Sequence, residues 1–222
     1  MVITTKATIA SFGGKLLKLS HMATSTGCEM NFNLYLPPQA FDKPQGKIPV
    51  LIYLSGLTCT ADNCSEKGFF QHGASKNGIA VLYPDTSPRG LNIPGEDDSW
   101  DFGTGAGFYV DATREPYNKG YNMYTYVTDE LPNTIFEEFP QLDSKRVSIT
   151  GHSMGGHGAL MLGTGDNFYK QGQLLPENLE KAAAEAGIKG LHIRYQPDYD
   201  HSYYTMASFA DDHIAHAAHY LK

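Results

Sequence analysis

No stretch of this chain is apolar for long enough to cross a bilayer, and nothing in its charge marks it for a polyanion. The hydrophobic fraction of 41% is ordinary for a globular chain, and no window approaches the length of a membrane span. A formal net charge of −7 offers no basic footprint to nucleic acid. It makes no case for long-range steering of an anionic substrate either. Cysteine is scarce: Cys28, Cys59 and Cys64 are an odd number, too few for a disulfide framework. They read as thiols in a reducing compartment, so a cytosolic location is expected. The first six residues lack the charged-then-apolar layout of a signal peptide, and Tyr220-Leu221-Lys222 matches no address tag. There is no internal repeat, low-complexity tract or linker. The 222 residues suit one domain, 1–222, with a substantial core.

What is present reads as β first and alternating β/α after. Residues 1–37 hold two extended segments, and the period-2 alternation of 30–36 before Pro37-Pro38 predicts an antiparallel pair. Residues 48–54 form a near-continuous apolar run of the kind buried in parallel sheets, and 79–85 form another. Between them, 65–77 reads as a helix stopped by Gly78. Residues 86–118 are a long connection rich in Gly, Pro, Asp and aromatics, and loops of that length in a compact domain usually carry function. A long helix is expected over 121–139, kinked by Pro132. Residues 172–186 read as an amphipathic helix, 191–195 as a strand, and 199–204 as a loop before a final helix. The pattern is that of an α/β sheet with helices on its faces.

The centre of this organisation is Val147-Ser148-Ile149-Thr150-Gly151-His152-Ser153-Met154-Gly155-Gly156. An apolar β-type run enters Gly-x-Ser-x-Gly, and a Gly/Ala/Leu run with helical character leaves it. In that context the pentapeptide reads as a nucleophile elbow. Ser153 must sit on a strained turn with its Oγ exposed, which requires Gly151 and Gly155 where side chains would collide. The turn also puts Ser153 at a helix N-terminus, where backbone N–H groups can face a developing oxyanion. Downstream, Asp166 lies in a turn-type run and His201 in the 199–204 loop. The order Ser153, Asp166, His201 is nucleophile, acid, base as α/β-hydrolases have it. Asp198 and Asp200 are nearer His201 in sequence, but neighbours along a loop tend to point apart. A second oxyanion donor is expected in the loop after the first buried strand, where Gly56 would turn the Leu57 N–H toward Ser153.

Four separated motifs then fall into place together. Ser55-Gly56-Leu57-Thr58-Cys59-Thr60, the run 97–109 (Asp-Asp-Ser-Trp-Asp-Phe-Gly-Thr-Gly-Ala-Gly-Phe-Tyr), the elbow 151–160, and Tyr199-Asp200-His201-Ser202-Tyr203-Tyr204 resemble the S-formylglutathione hydrolases, the esterase D family. The resemblance covers most of the chain. It implies an α/β-hydrolase fold with a mostly parallel central sheet, an antiparallel N-terminal pair and helices on both faces. It further implies a cytosolic serine thioesterase that cleaves S-formylglutathione to glutathione and formate in formaldehyde detoxification. Side activity on short-chain esters, no cofactor and often a homodimer go with it; neither nucleic acid nor membrane is an expected partner. Residue by residue, Ser153 matches the family nucleophile, Asp166 its acid, His201 its base, and Leu57 and Met154 its oxyanion-hole amides.

One departure stands out. Only 13 positions separate Ser153 from Asp166, whereas a βαβ unit takes roughly 30 residues. One or two sheet strands after the nucleophile helix are therefore expected to be missing. The strand at 191–195 would then pair directly beside 147–150 and shift the His201 loop. Reach alone permits the triad: about nine helical residues lead ~13 Å away from Ser153, and four extended ones return at most ~14 Å. Three other patterns carry less. His213, His216 and His219 recur at i, i+3, i+6 on the last helix but lack Cys or carboxylate partners at ligand spacing, so they read as a helix face rather than a metal site. The Gly103-Thr104-Gly105-Ala106-Gly107 run lacks dinucleotide-loop spacing. Cys59 is either a modifiable thiol beside the oxyanion loop or a small buried hydrophobe.

Overall fold

The computed structural model describes residues 2–42, 46–156 and 176–221, together with the backbone of 161–163. Three strands open the chain as an antiparallel meander: β1 (Thr4–Ser11), β2 (Gly14–Ala23) and β3 (Cys28–Leu36). The apolar runs follow as β4 (Ile48–Leu54) and β5 (Ala80–Pro84), and β6 (Leu142–Gly151) leads to the elbow. The sheet order is β1-β2-β3-β5-β4-β6, with β3 antiparallel to β5 and β4 parallel to both β5 and β6. The N-terminal part is thus a three-stranded meander rather than a pair. Within this sheet parallel pairing is confined to the β5-β4-β6 end, so the main sheet is mixed rather than mostly parallel.

Alternation along the central strands divides the interior in two. Val50, Ile52 and Leu54 of β4 join Phe32, Leu34 and Leu82 in one core. Leu51 and Tyr53 join Tyr35, Val81 and Tyr83 in the other. The first core is closed by Tyr126, Val127, Leu131 and Ile135. These lie on a helical stretch that begins as α3 (Met123–Thr125), passes through a π-helical segment (Tyr126–Glu130) and continues as α4 (Leu131–Glu138). The expected distortion at Pro132 takes the form of that widened segment just upstream, where a ladder bond that proline cannot donate is missing.

The second core is closed by α1 (Ala61–Lys67), α2 (Phe70–Asn77) and the last helix, α6 (Tyr203–Leu221). The single helix expected over 65–77 is two, because Gly68 caps the first and Phe69 adopts φ 59° between them. A Cβ on Gly68 would stand 2.5 Å from the Cys64 sulfur. Helix α6 docks on α2 at Gly73, whose missing Cβ would lie 2.7 Å from the Asp211 carboxylate and 3.4 Å from Ile214.

Beyond the elbow, β7 (Met161–Gly163) and β8 (Arg194–Gln196) form a separate parallel pair, with α5 (Pro176–Glu185) between them in sequence. Pairing of 191–195 with 147–150 is therefore corrected. Leu191, His192 and Arg194 face Ser148, Ile149 and Thr150 across a cavity of about 470 Å³ instead. Among the described residues β6 ends the main sheet. Its Val147 and Ile149 side chains are 38% and 57% exposed.

Candidate active site

Strand β6 stops at Gly151, and a short 3-10 turn (Ser153–Gly156) begins two residues later. Ser153 takes φ 55°, a left-handed conformation that costs a non-glycine residue about 1–3 kcal/mol and occurs mainly at functional turns. Two glycines make the turn geometrically feasible. A Cβ on Gly151 would fall 2.0 Å from the Gly155 carbonyl oxygen, and one on Gly155 would fall 2.2 Å from that of Leu54. The backbone is pinned on both sides: His152 N–H donates to the Leu54 carbonyl at 3.0 Å, and Gly155 N–H to the His152 carbonyl at 2.9 Å.

The loop leaving β4 lies against this turn. A Cβ on Gly56 would touch Cβ of Ser153 at 3.0 Å and sit 3.5 Å from Nδ1 of His152. The next residues are tightly wound. Thr58, β-branched, holds φ 65°, and its N–H donates to the Gly105 carbonyl at 2.9 Å. Cys59 N–H donates back to Gly56 at 3.3 Å. Leu57 N–H makes no hydrogen bond among the described residues. Met154 is the second residue of the 3-10 turn, where N–H groups have no helical acceptor. Both amides expected as oxyanion donors thus sit where backbone donors are left over among the described residues.

The His201 ring packs against the ring of His152, centroid to centroid 4.5 Å, so it lies beside the elbow. Tyr203 follows at 6.0 Å from His152, and its hydroxyl contacts the Cys59 sulfur at 3.6 Å. Burial pushes the Tyr203 phenol up, and the neighbouring cysteines push it further, so it stays protonated. Cys28, Cys59 and Cys64 are all buried free thiols. Asp166 lies outside the described residues. The rival acid Asp200 is turned to its own loop, accepting hydrogen bonds from the Ser202 backbone (3.1 Å) and hydroxyl (2.5 Å).

The long 86–118 connection divides into two parts. Trp100 and Phe102 point outward, Trp100 61% exposed. Gly105 and Tyr109 turn inward, with the Tyr109 hydroxyl donating to the Ser55 carbonyl at 2.9 Å. Of the last-helix histidines, His216 and His219 are exposed. His213 is paired with the Thr150 hydroxyl at 2.9 Å. That pairing had no signature in the sequence.

A left-handed serine on a turn walled by two glycines has the form of a nucleophile elbow, and the comparisons point to the same enzyme class. The Esterase family model, described as "Putative esterase", matches residues 23–164. The S-formylglutathione hydrolase of Mus musculus is 42% identical, with 95% of each chain covered. That of Arabidopsis thaliana is 38% identical, again with 95% of each covered. A solved S-formylglutathione hydrolase from Agrobacterium tumefaciens superposes with a TM-score of 0.91 at 35% identity, covering 98% of this chain and 99% of that one. The mouse alignment runs over 274 positions against a chain of 222, so at least 52 of its positions face no residue here. The fold is that of the α/β-hydrolases and the enzyme class that of the serine esterases. The chain belongs to the Esterase family and, within it, to the S-formylglutathione hydrolases.

Proposed function

We infer that this protein hydrolyses S-formylglutathione to glutathione and formate, with short-chain esters as secondary substrates, and that Ser153, His201 and Asp166 carry the reaction. Ser153 Oγ attacks the formyl carbon while His201 takes its proton. The tetrahedral oxyanion is held by the Leu57 and Met154 amides, each worth about 3–4 kcal/mol in comparable sites. Collapse expels the glutathione sulfur, which receives the proton from His201. A water, deprotonated by His201 in turn, then releases formate and regenerates Ser153. Asp166 orients His201 and balances its charge. No cofactor enters these steps. The free thiols support a reducing, cytosolic setting, and formaldehyde catabolism is the process this reaction serves. The family resemblance adds a homodimer.

The observation that carries this reading is the left-handed Ser153 on its turn, with Gly56 packed against it and His201 stacked on the neighbouring His152. A fluorophosphonate probe tests it, since phosphorus then takes the place of the formyl carbon. The wild-type protein should be labelled on Ser153 and should turn over S-formylglutathione, whereas Ser153→Ala should do neither and keep its fold. An unlabelled wild-type protein, or an active alanine variant, would overturn the assignment.

A second reading, the same chemistry at much reduced rate, is supported by the edge position of β6 among the described residues and by the shortfall against the mouse alignment. Turnover per labelled site separates the two.

A further inference from the structure

We propose that Asp85, Thr86 and Arg89, at the end of β5, are positioning residues that hold the 56–59 loop and thereby aim the Leu57 amide. The inference rests on the serine-hydrolase reading above and deepens it. None of these three residues belongs to the triad or to the pair of oxyanion amides.

The loop needs holding. Thr58 is a β-branched residue at φ 65°, a conformation that relaxes unless its surroundings over-determine it. The clamp grips it at two points. On one side the Cys59 carbonyl accepts from the Thr86 hydroxyl at 2.5 Å and from Nη2 of Arg89 at 3.0 Å. Both donors are fixed by the same carboxylate. Arg89 forks onto Asp85 through Nε and Nη2, both at 3.0 Å, and the Thr86 N–H donates to Asp85 at 2.7 Å. Asp85 is 4% exposed, so this ion pair is shielded from water on its acidic side. On the other side the Gly105 carbonyl takes the Thr58 N–H. The Gly105 N–H in turn donates to the Ser87 hydroxyl at 2.7 Å, and Gly107 N–H to the Thr86 carbonyl at 3.1 Å. A Cβ on Gly105 would lie 3.0 Å from Cα of Thr58.

Residues 85–89 therefore reach the oxyanion loop twice, directly and through the 105–107 strap. With Thr58 and Cys59 N–H both spent on internal bonds, Leu57 keeps the one amide of the 57–59 run that has no acceptor among the described residues. A donor placed this way acts on the transition state more than on the bound substrate, so its loosening should lower kcat and spare KM.

Thr86→Val removes the hydroxyl at constant shape, Arg89→Met removes the fork, and Thr86→Ser restores the hydroxyl. Two readouts are taken on each: the rate of fluorophosphonate labelling of Ser153, with kcat and KM, and hydrogen exchange at the Thr58 amide. Thr86→Val and Arg89→Met should slow labelling and kcat about tenfold to a hundredfold, leave KM within about threefold, and speed Thr58 exchange at least about tenfold. Thr86→Ser should stay within about threefold of the parent on every count. Unchanged Thr58 exchange in both variants overturns the clamp. Faster exchange with unchanged labelling overturns its link to the oxyanion site. A parent protein that is not labelled at all sinks the hydrolase reading instead, and the exchange data still decide whether the loop is held.

Discussion

Gly155→Ala places a methyl group directly against the end of β4. The added Cβ would lie 2.2 Å from the Leu54 carbonyl oxygen, 2.5 Å from its carbon and 2.7 Å from Leu54 Cβ. An ordinary carbon–oxygen approach is about 3.3 Å, so the 3-10 turn and the end of β4 must separate by about 1 Å. The obstructing oxygen and carbon are backbone and cannot rotate away. That separation displaces Ser153 from the Leu57 side of the site, and a 1 Å misplacement costs about a hundredfold in rate. Overpacking of this kind also costs about 1–3 kcal/mol, which lowers the unfolding temperature of a domain this size by about 2–4 °C per kcal/mol. Gly56→Ala is the milder member of the series, because its Cβ would meet Ser153 Cβ at 3.0 Å and needs only a few tenths of an ångström. Gly187→Ala is the control: φ is 66° but nothing lies within 4 Å, so it should lose about 1–2 kcal/mol of stability and no activity. The assay is the second-order rate of fluorophosphonate labelling beside thermal unfolding. A Gly155→Ala protein labelled as fast as the parent, or a Gly187→Ala protein slowed as much, would refute the packing argument.

Acyl length should matter steeply: rates measured over formyl, acetyl and butyryl thioesters of glutathione should fall on the order of tenfold or more by butyryl, and a flat series would favour a general esterase. Asp166→Asn should lower kcat far more than Asp200→Asn, because Asp200 is spent on its own loop; the reverse ranking in steady-state kinetics would move the acid to Asp200. Burial pushes the His213 imidazole below its ordinary value, only partly offset by Asp212. The unfolded chain therefore takes up a proton near pH 6.5 that the folded chain refuses, and stability should fall as pH drops from 7 to 5. Urea midpoints should show that slope flattened in His213→Gln. Finally, a family-length insert after Leu162 should raise both turnover and unfolding temperature, and no change in either would mean the shortfall is immaterial.

Much of the site was legible because its chemistry is local. Glycine at positions 151 and 155 around Ser153 has a single geometric meaning once a strand precedes it, and the distances of 2.0 and 2.2 Å bear that meaning out. The apolar runs of β4 and β5 were equally plain, since a strand buried on both faces leaves no polar alternation. Pairing was less legible. Nothing in residues 1–37 distinguishes two strands from three, because the turn at Phe12-Gly13 and the bulge near Thr5 interrupt the alternation of β1 and β2. The 65–77 helix read as one because Gly68 is tolerable inside a helix unless a neighbour such as the Cys64 sulfur crowds it. The Asp85–Arg89 network was invisible for a different reason: its members lie four residues apart but act on a carbonyl about thirty residues upstream. The pairing of His213 with Thr150 likewise spans 63 positions.

The departure between Ser153 and Asp166 bears unequally on the parts of the site. Ser153, the Leu57 loop and the 85–89 network hang from the ends of β6, β4 and β5, three adjacent strands of one sheet. Sites in α/β sheets form at such strand ends, and all three strands precede the departure. His201 comes from beyond it, yet its position does not depend on a strand paired with β6. It is set by α6, which docks on α2 through the notch at Gly73 and contributes Ala210, Ile214, Ala217 and Leu221 to the same core as Tyr53 and Phe70. Fully burying an Ile or Leu side chain contributes about 1.5–3 kcal/mol, so Ile214 and Leu221 anchor the helix and the loop that precedes it. Within the proposed triad, Asp166 is the member only 13 positions from Ser153, so a loss of turnover is expected to trace to the acid. Deletion of a triad acid leaves nucleophile, base and oxyanion donors in place and still lowers rates by about ten-thousandfold in serine hydrolases. Labelling of Ser153 and turnover should then fall together, because both need an oriented His201 to take the serine proton.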